Sequence, residues 1–307
     1  MPGETWSIRR LLAWIDGYLA QRGIEHPRRS AEWLIGEVCG LSRMQIYLDI
    51  DRPLEADELA RLREMVVRRG RGEPLQYITG NTSFRSIEVL CEPGVLIPRP
   101  ETEMLVEYAL EALRARHTGD SEGEEPDDEG NEPQVNVLEI GTGTGCIALS
   151  IASEMPEARV LATDVSATAL KLAARNRAAL GLEKRVGFVQ CSLADGVKDR
   201  FMGTFELLIS NPPYIPTAVM AELPSEVVDH EPALALDGGA DGLDVFRRLV
   251  ELAPRALAPS GVFAVELFEG HLDQAADLVR GAQGWESVEV KQDLAGRPRV
   301  LLAVRSD

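Results

Sequence analysis

The sequence predicts an α/β protein: a mostly parallel sheet covered on both faces by helices, with a small helical bundle ahead of it. Three observations carry this. Beyond residue 134 short apolar strands alternate with amphipathic helices. The first of these strands runs into a glycine-rich turn, GTGTG, and an acid closes the next strand nineteen residues further on. The first 75 residues instead carry apolar positions at helical spacing.

In chain order, Trp6, Leu11, Leu12, Trp14, Ile15, Tyr18 and Leu19 mark a first helix stopped by Gly23. Ser30 to Cys39 carries a second stripe closed by Gly40, and Asp57 to Arg69 another closed by Gly70. The aromatic residues here are expected in the core of this bundle, residues 1–75. Residues 76–97 are rich in β-branched residues with turn signals at Gly80-Asn81 and Pro93-Gly94, which predicts a β-hairpin linker. The remaining domain, 98–307, opens with a helix from about 101 to 116. Strands follow at Val135–Ile140, Val160–Thr163, Val186–Val189, Glu206–Ser210 and Gly261–Leu267, and helices at 145–154, Ser166–Leu180, Asp244–Leu257 and His271–Arg280. Two terminal strands, Ser287–Val290 and Arg299–Val304, are expected to pair antiparallel around Gly296.

Composition narrows the function classes. The 307 residues are 45% hydrophobic, enough for a sizeable core and too much for a disordered chain. With 50 acids against 32 bases the net charge is −18, a poor match for general phosphate binding. Residues 1–75 are neutral, with twelve acids and twelve bases, and end in Arg61, Arg63, Arg68, Arg69 and Arg71. That run is either a partner-facing patch or the solvated face of a helix. Residues 118–132 are predicted to be a disordered acidic loop, because like charges with Gly and Pro bury nothing. Cys39, Cys91, Cys146 and Cys191 fit neither a zinc nor a disulfide spacing, and all four are expected to be small buried hydrophobes. None of His26, His117, His230 and His271 has motif-like company, so no metal is implied. The N-terminus lacks an apolar signal segment and no apolar run approaches a membrane span, so a cytoplasmic protein is expected.

The strand VNVLEI entering Gly141-Thr142-Gly143-Thr144-Gly145 lets the backbone turn sharply and approach a ligand. Asp164 at the end of the next strand can accept both hydroxyl protons of a ribose. Together they predict a nucleoside-containing cofactor in a Rossmann-like sheet. Glu139-x-Gly-x-Gly-x-Gly, as opposed to GxGxxG, resembles class I methyltransferases, which bind S-adenosylmethionine. The strand FELLIS then ends in Asn211-Pro212-Pro213-Tyr214. An Asn amide oxygen, carbonyls beside residues with no N–H, and a flat aromatic ring suit a planar –NH₂ group.

GTGTG, Asp164 and NPPY together look like methyltransferases acting on the amino groups of adenine, guanine or glutamine. EPLQYITGNTSF (73–84), VLIPRPETE (95–103), EPALALDGGADGLD (231–244) and AGRPR (295–299) narrow the likeness. With them the chain resembles, over nearly its whole length, the HemK/PrmC-type peptide chain release factor glutamine methyltransferases. The ribosomal-protein branch characteristically has Ser-Pro where this chain has Pro100-Glu101-Thr102-Glu103. Three departures stand out. Glu266 is followed by Leu267, Phe268 and Glu269 before Gly270. Cys191-Ser192-Leu193 stands where an acidic or aromatic residue often flanks adenine. The acidic stretch is atypical.

The resemblance implies transfer of a methyl group from S-adenosylmethionine to the amide nitrogen (N5) of the glutamine in the Gly-Gly-Gln motif of release factors, leaving S-adenosylhomocysteine and supporting translation termination. It implies cofactor binding by Glu139, Gly141, Thr142, Gly143, Thr144, Gly145, Asp164, Leu193 and Asn211. It implies substrate binding by Asn211, Pro212, Pro213 and Tyr214, with Asn211, Pro212 and Tyr214 catalytic. Arg99 and Glu101 either shape the pocket mouth or pack structurally. Residues 1–75 would recognise the protein substrate, and the enzyme is expected to be a monomer that contacts neither nucleic acid nor membrane. Two other readings use the same motifs, a nucleic-acid amino-methyltransferase and a cofactor-binding adaptor. The net charge argues against the first and the intact NPPY against the second.

Overall fold

The computed structural model describes residues 6–120 and 134–307, the side chains of 118–120 excepted. The predicted acidic loop falls largely outside the described residues. Two compact units are formed, one by Met1–Asn81 with Pro224–His230, the other by Thr82–Leu223 with Glu231–Asp307.

The first unit is built from α1 (Ile8–Ala20), α2 (Pro27–Cys39), α3 (Arg43–Leu48), α4 (Ala56–Arg69) and α5 (Leu75–Thr79), with the single turn α9 (Ser225–Val228). Leu12, Ile15, Leu19, Leu34 and Ile35 are fully buried in its core. Helix α3, unforeseen from periodicity because it is so short, starts in a capping box between Ser42 and Gln45. Trp14 is not a core residue as expected. It is 48% exposed and stacks on Tyr18 at 5.2 Å. Nor is the Arg run a uniform surface patch. Arg69 is buried, donating to the Glu73 carbonyl at 2.9 Å and pairing with Glu226 at 2.8 Å. Arg68 is committed to the Glu73 carboxylate. Arg61, Arg63 and Arg71 are the exposed ones.

The second unit opens with the hairpin β1 (Asn81–Phe84) and β2 (Ile87–Leu90), followed by α6 (Pro100–Asp120). The hairpin turns at Arg85-Ser86, not at either predicted Gly. Gly80 instead ends α5 in a left-handed C-cap. Next come β3 (Val135–Ile140), α7 (Cys146–Glu154), β4 (Ala158–Asp164), α8 (Ala167–Ala179), β5 (Val186–Gln190) and β6 (Phe205–Ser210). Finally come α10 (Asp244–Ala256), β7 (Leu257–Glu266), α11 (Leu272–Gly281), β8 (Trp285–Gln292) and β9 (Pro298–Arg305). The seven-stranded sheet has the order β5-β4-β3-β6-β7-β9-β8. Strands β5 to β7 are parallel; β9 runs antiparallel to β8, as the sequence predicted, and also to β7, which the sequence did not predict.

The central strands are apolar runs because both faces are covered. Leu105, Leu110 and Leu149 belong to the core on one face, and Phe246, Leu249 and Ala275 to that on the other. Cys146 is buried in the first of these cores and Cys91 is buried as well, but Cys39 and Cys191 are only half-buried. Strand order reverses between β3 and β6, the switch point at which open α/β sheets bind ligands. At that edge Ile140 lies level with Thr163 of β4 and Ser210 of β6. GTGTG, Asp164 and Asn211 follow those residues directly, so all three emerge side by side.

Candidate active site

The glycine turn is held from below. The N–H groups of Gly141 and Thr142 both donate to the Thr163 carbonyl, at 2.9 and 3.0 Å. Gly141, Gly143 and Gly145 have φ of +79°, +56° and +86°, a region costly to residues with a Cβ. A Cβ on Gly145 would meet Ala173 of α8 at 3.2 Å, whereas one on Gly141 would meet no protein atom within 4 Å. The first glycine permits close packing, and the second leaves the cradle open. Behind the turn, Glu139 is fully buried and accepts from the Thr142 hydroxyl at 2.6 Å. Burial pushes its carboxyl up to about 8, against the pull of that hydrogen bond.

Asp164 links the turn to α8. Its Oδ2 accepts from the Gly143 N–H at 2.9 Å and its Oδ1 from the Ser166 N–H at 2.8 Å. A carboxylate has about four acceptor sites, so two remain for a ligand diol. Leu193 takes a left-handed backbone, φ +46°, and its carbonyl accepts from the Thr163 hydroxyl at 2.7 Å.

The NPPY segment leaves β6 after Ser210, whose hydroxyl donates to the Ile140 carbonyl at 2.8 Å. Asn211 donates its Nδ2 to the Thr102 hydroxyl at 3.0 Å. The Tyr214 hydroxyl stands 3.5 Å from Glu266, and burial drives its ionisation well above the usual phenol range. The 231–244 motif runs alongside as a backbone brace. Ile215 donates to Leu236, Gly238 to Ile215 and Thr217 to Gly239, all within 2.8–2.9 Å. Glu231 ties in the VLIPRPETE stretch, accepting from the Ile97 N–H at 3.1 Å and from the Arg99 guanidinium. Arg99 is therefore committed to an internal ion pair.

Between these pieces lies a cavity of about 250 Å³, lined by Gly141, Gly143, Asp164, Leu193, Asn211 and Pro213 among others. The remaining predicted residues do not line it. Glu139, Thr142, Thr144 and Gly145 belong to the strand end and turn behind it, Pro212 is buried, and Tyr214 lies off the cavity lining with its hydroxyl beside Glu266. Thr102, Glu231 and Glu266 went unread as site residues. Only Glu266 carried a local signal, a lone acid between Val265 and Leu267; Thr102 lies between Glu101 and Glu103 and Glu231 next to His230, so neither stands out. Apolar walls, two open glycines and one carboxylate fit a nucleoside cofactor such as S-adenosylmethionine, with Asp164 placed to take a ribose diol.

Among the described residues no group of His, Cys, Asp or Glu is placed to hold a metal, and no helix is long and apolar enough to cross a membrane.

Comparison with known proteins gives a concordant picture. The PrmC N-terminal domain family matches residues 10–80, and the methyltransferase small domain family matches residues 129–240. The release factor glutamine methyltransferase of Geobacter sulfurreducens is 42% identical, covering 97% of this chain and 96% of that one. That of Chlorobaculum tepidum is also 42% identical, over 95% and 96%. Among solved structures, the hMettl16 catalytic domain in complex with MAT2A 3'UTR hairpin 6 shares the fold. Its TM-score is 0.54 at 16% identity, over 83% of this chain and 84% of that one. Two relatives at this identity over essentially full length, on a sheet with GTGTG and NPPY side by side at its switch point, place the chain in the release factor glutamine methyltransferase family.

Proposed function

We propose that this protein methylates the side-chain amide nitrogen, N5, of the glutamine in the Gly-Gly-Gln motif of peptide chain release factors. S-adenosylmethionine would be the methyl donor. The observation that carries the reading is that Asn211 lines the same cavity as Gly141, Gly143 and Asp164. A group bound by Asn211 therefore faces whatever the glycine turn and Asp164 hold.

When bound, the cofactor supplies an electrophilic methyl on a sulfonium. The chain's own task is to present a weak nucleophile to it. An amide nitrogen is weak because its lone pair is delocalised into the carbonyl. Asn211 Oδ1 and the Pro212 carbonyl accept its two hydrogens, which aims the nitrogen and favours positive charge growing on it. Tyr214 packs against the amide plane. Alignment of this kind supplies roughly 7–11 kcal/mol of a barrier. Held by Gly141, Gly143 and Asp164, the cofactor would supply the methyl group and leave as S-adenosylhomocysteine, and one amide proton would leave the methylated nitrogen to water. Asp164 holds the ribose, Leu193 supplies an apolar wall, and Glu139 with Thr142 keeps the turn in shape.

Residues 1–75 serve recognition of the protein substrate, with Arg61, Arg63 and Arg71 as its salt-sensitive contacts. The enzyme works as a cytoplasmic monomer. The test incubates it with methyl-labelled S-adenosylmethionine and either an intact release factor, a ribosomal protein or DNA. Label should enter the release factor alone and vanish when its motif glutamine is replaced. Label in DNA, or in a release factor lacking that glutamine, refutes the proposal.

A further inference from the structure

We infer that Thr102 and Glu266 are positioning residues that fix which way the Asn211 amide faces, so that its oxygen and not its nitrogen meets the substrate. The inference rests on the proposed amide chemistry, because only there does the direction of Asn211 decide the outcome. A substrate –NH₂ offers hydrogens alone. Asn211 is useful to it only with Oδ1 turned inward. Rotated by half a turn, it would set two donors against two donors.

The two ends of an Asn amide have nearly the same shape, so packing cannot choose between them. Hydrogen bonds must. Asn211 Nδ2 lies 3.0 Å from Thr102 Oγ1, and Thr102 is buried, so water does not compete. A hydroxyl can also donate, and a free one would serve the flipped amide equally well. Its single proton must therefore be engaged elsewhere. The Glu266 carboxyl does this. It is 1% exposed at the end of β7, its charged form is favoured by the neighbouring Thr102 hydroxyl, and the Tyr214 hydroxyl stands 3.5 Å from it. Its buried Oε2 has no hydrogen-bond partner among the described residues, an open acceptor for the Thr102 proton. An ionised carboxylate can only accept. The proton of Thr102 thus points to Glu266, the Thr102 lone pair to Asn211 Nδ2, and Oδ1 is left for the substrate.

Protonation of Glu266 removes that constraint, since a carboxylic acid can donate back to Thr102. Burial raises this carboxyl to about 7, and Glu101 on α6 pushes the same way. Arg299 on β9 and the hydroxyls of Thr102 and Tyr214 oppose them.

The test compares wild type with Thr102→Val, which keeps the shape and removes the hydroxyl, and Thr102→Ser, which restores it. Turnover of a release factor at saturation should fall at least tenfold in Thr102→Val and recover to within threefold in Thr102→Ser. S-adenosylmethionine affinity should stay within threefold throughout. Wild-type kcat should decline as pH drops through about 7, and Glu266→Gln should be slow and flat there. A smaller loss in Thr102→Val, or a loss matched by weakened cofactor binding and not rescued by Ser, overturns the inference. A second measurement needs no substrate. The Asn211 side-chain –NH₂ signal, assigned by its absence in Asn211→Ala, should be protected from solvent exchange in wild type and Thr102→Ser and lose protection in Thr102→Val. Equal protection in all three overturns the inference even if the wild type methylates something else. Failure of the wild type to label release factors overturns only the functional reading.

Discussion

Gly242→Ala should cripple catalysis from outside the cavity. Gly242 has φ +78°, and a Cβ there would stand 2.4 Å from the Tyr214 carbonyl oxygen and 2.6 Å from His271 Cε1. The first neighbour is backbone and cannot rotate away. Reaching even 3.0 Å would displace Tyr214 by about 0.6 Å, and ordinary contact at 3.4 Å by about 1 Å. Misplacement on the order of 1 Å costs about a hundredfold in rate when alignment is the catalytic device. Left-handed backbone adds roughly 1–2 kcal/mol for any residue with a Cβ. Gly181→Ala separates the two effects, because Gly181 has φ +68° but nothing within 4 Å of its Cβ. Both variants should lose stability in thermal unfolding, Gly181→Ala by about 1–2 kcal/mol with normal kcat. Gly242→Ala should lose at least that and about a hundredfold in kcat at saturating substrates. Wild-type kcat in Gly242→Ala would show that the 231–244 brace does not position NPPY.

Asn211→Ala should lose about 2.7–4 kcal/mol of transition-state stabilisation while titration calorimetry still shows cofactor binding. More than a tenth of wild-type turnover would refute its role. Asp164→Ala should weaken cofactor binding by roughly 1.5–3 kcal/mol. It should also lower the melting temperature, because the same carboxylate holds the Gly143 and Ser166 N–H groups. Unchanged affinity would move the ribose contact elsewhere. Glu139, raised from 4.5 to about 8, favours the folded state fully below pH 4.5, and that contribution is lost as pH rises through about 8. Glu139→Gln should therefore flatten the fall in stability between pH 5 and 9 measured by urea unfolding. An unchanged slope would mean that the buried carboxyl is not the titrating group.

The parallel sheet was legible because strands buried on both faces read as apolar runs, as in VNVLEI and FELLIS, and glycines punctuate their ends. The hairpin turn was not. Gly80-Asn81 carried the turn signal, yet the chain turns at Arg85, whose φ of +51° has no glycine to announce it. Tertiary contacts hold it, since the Arg85 guanidinium binds Glu154 at 2.7 Å and Glu107 at 2.6 Å. Arg69 was hidden inside a charge run, although Leu62, Val66 and Arg69 share one helical face and all three are buried. The cofactor turn and NPPY could be read because backbone chemistry restricts which residues fit there. Thr102 and Glu266 act through partners 109 and 164 residues away in sequence, and no local pattern records such a pairing.

The same geometry decides which side chain the site refuses. Glutamine and glutamate have the same shape, so a pocket that read size alone would take both. Asn211 Oδ1 and the Pro212 carbonyl are acceptors, and a glutamate carboxylate brings only lone pairs. Sites built to hydrogen-bond one group reject an analogue lacking its hydrogens by factors of about 10⁴ or more. A release factor with Glu in place of the motif glutamine should therefore fail to compete in the pocket, inhibiting wild type no better than one carrying Ala there. Thr102→Val should erode that distinction, because an amide free to turn can offer Nδ2 to the carboxylate. The assay is inhibition of methylation of an unmodified release factor by each competitor. Strong inhibition of wild type by the Glu form would mean that the pocket presents a donor to the substrate, and would refute both the acceptor assignment and the direction given to Asn211.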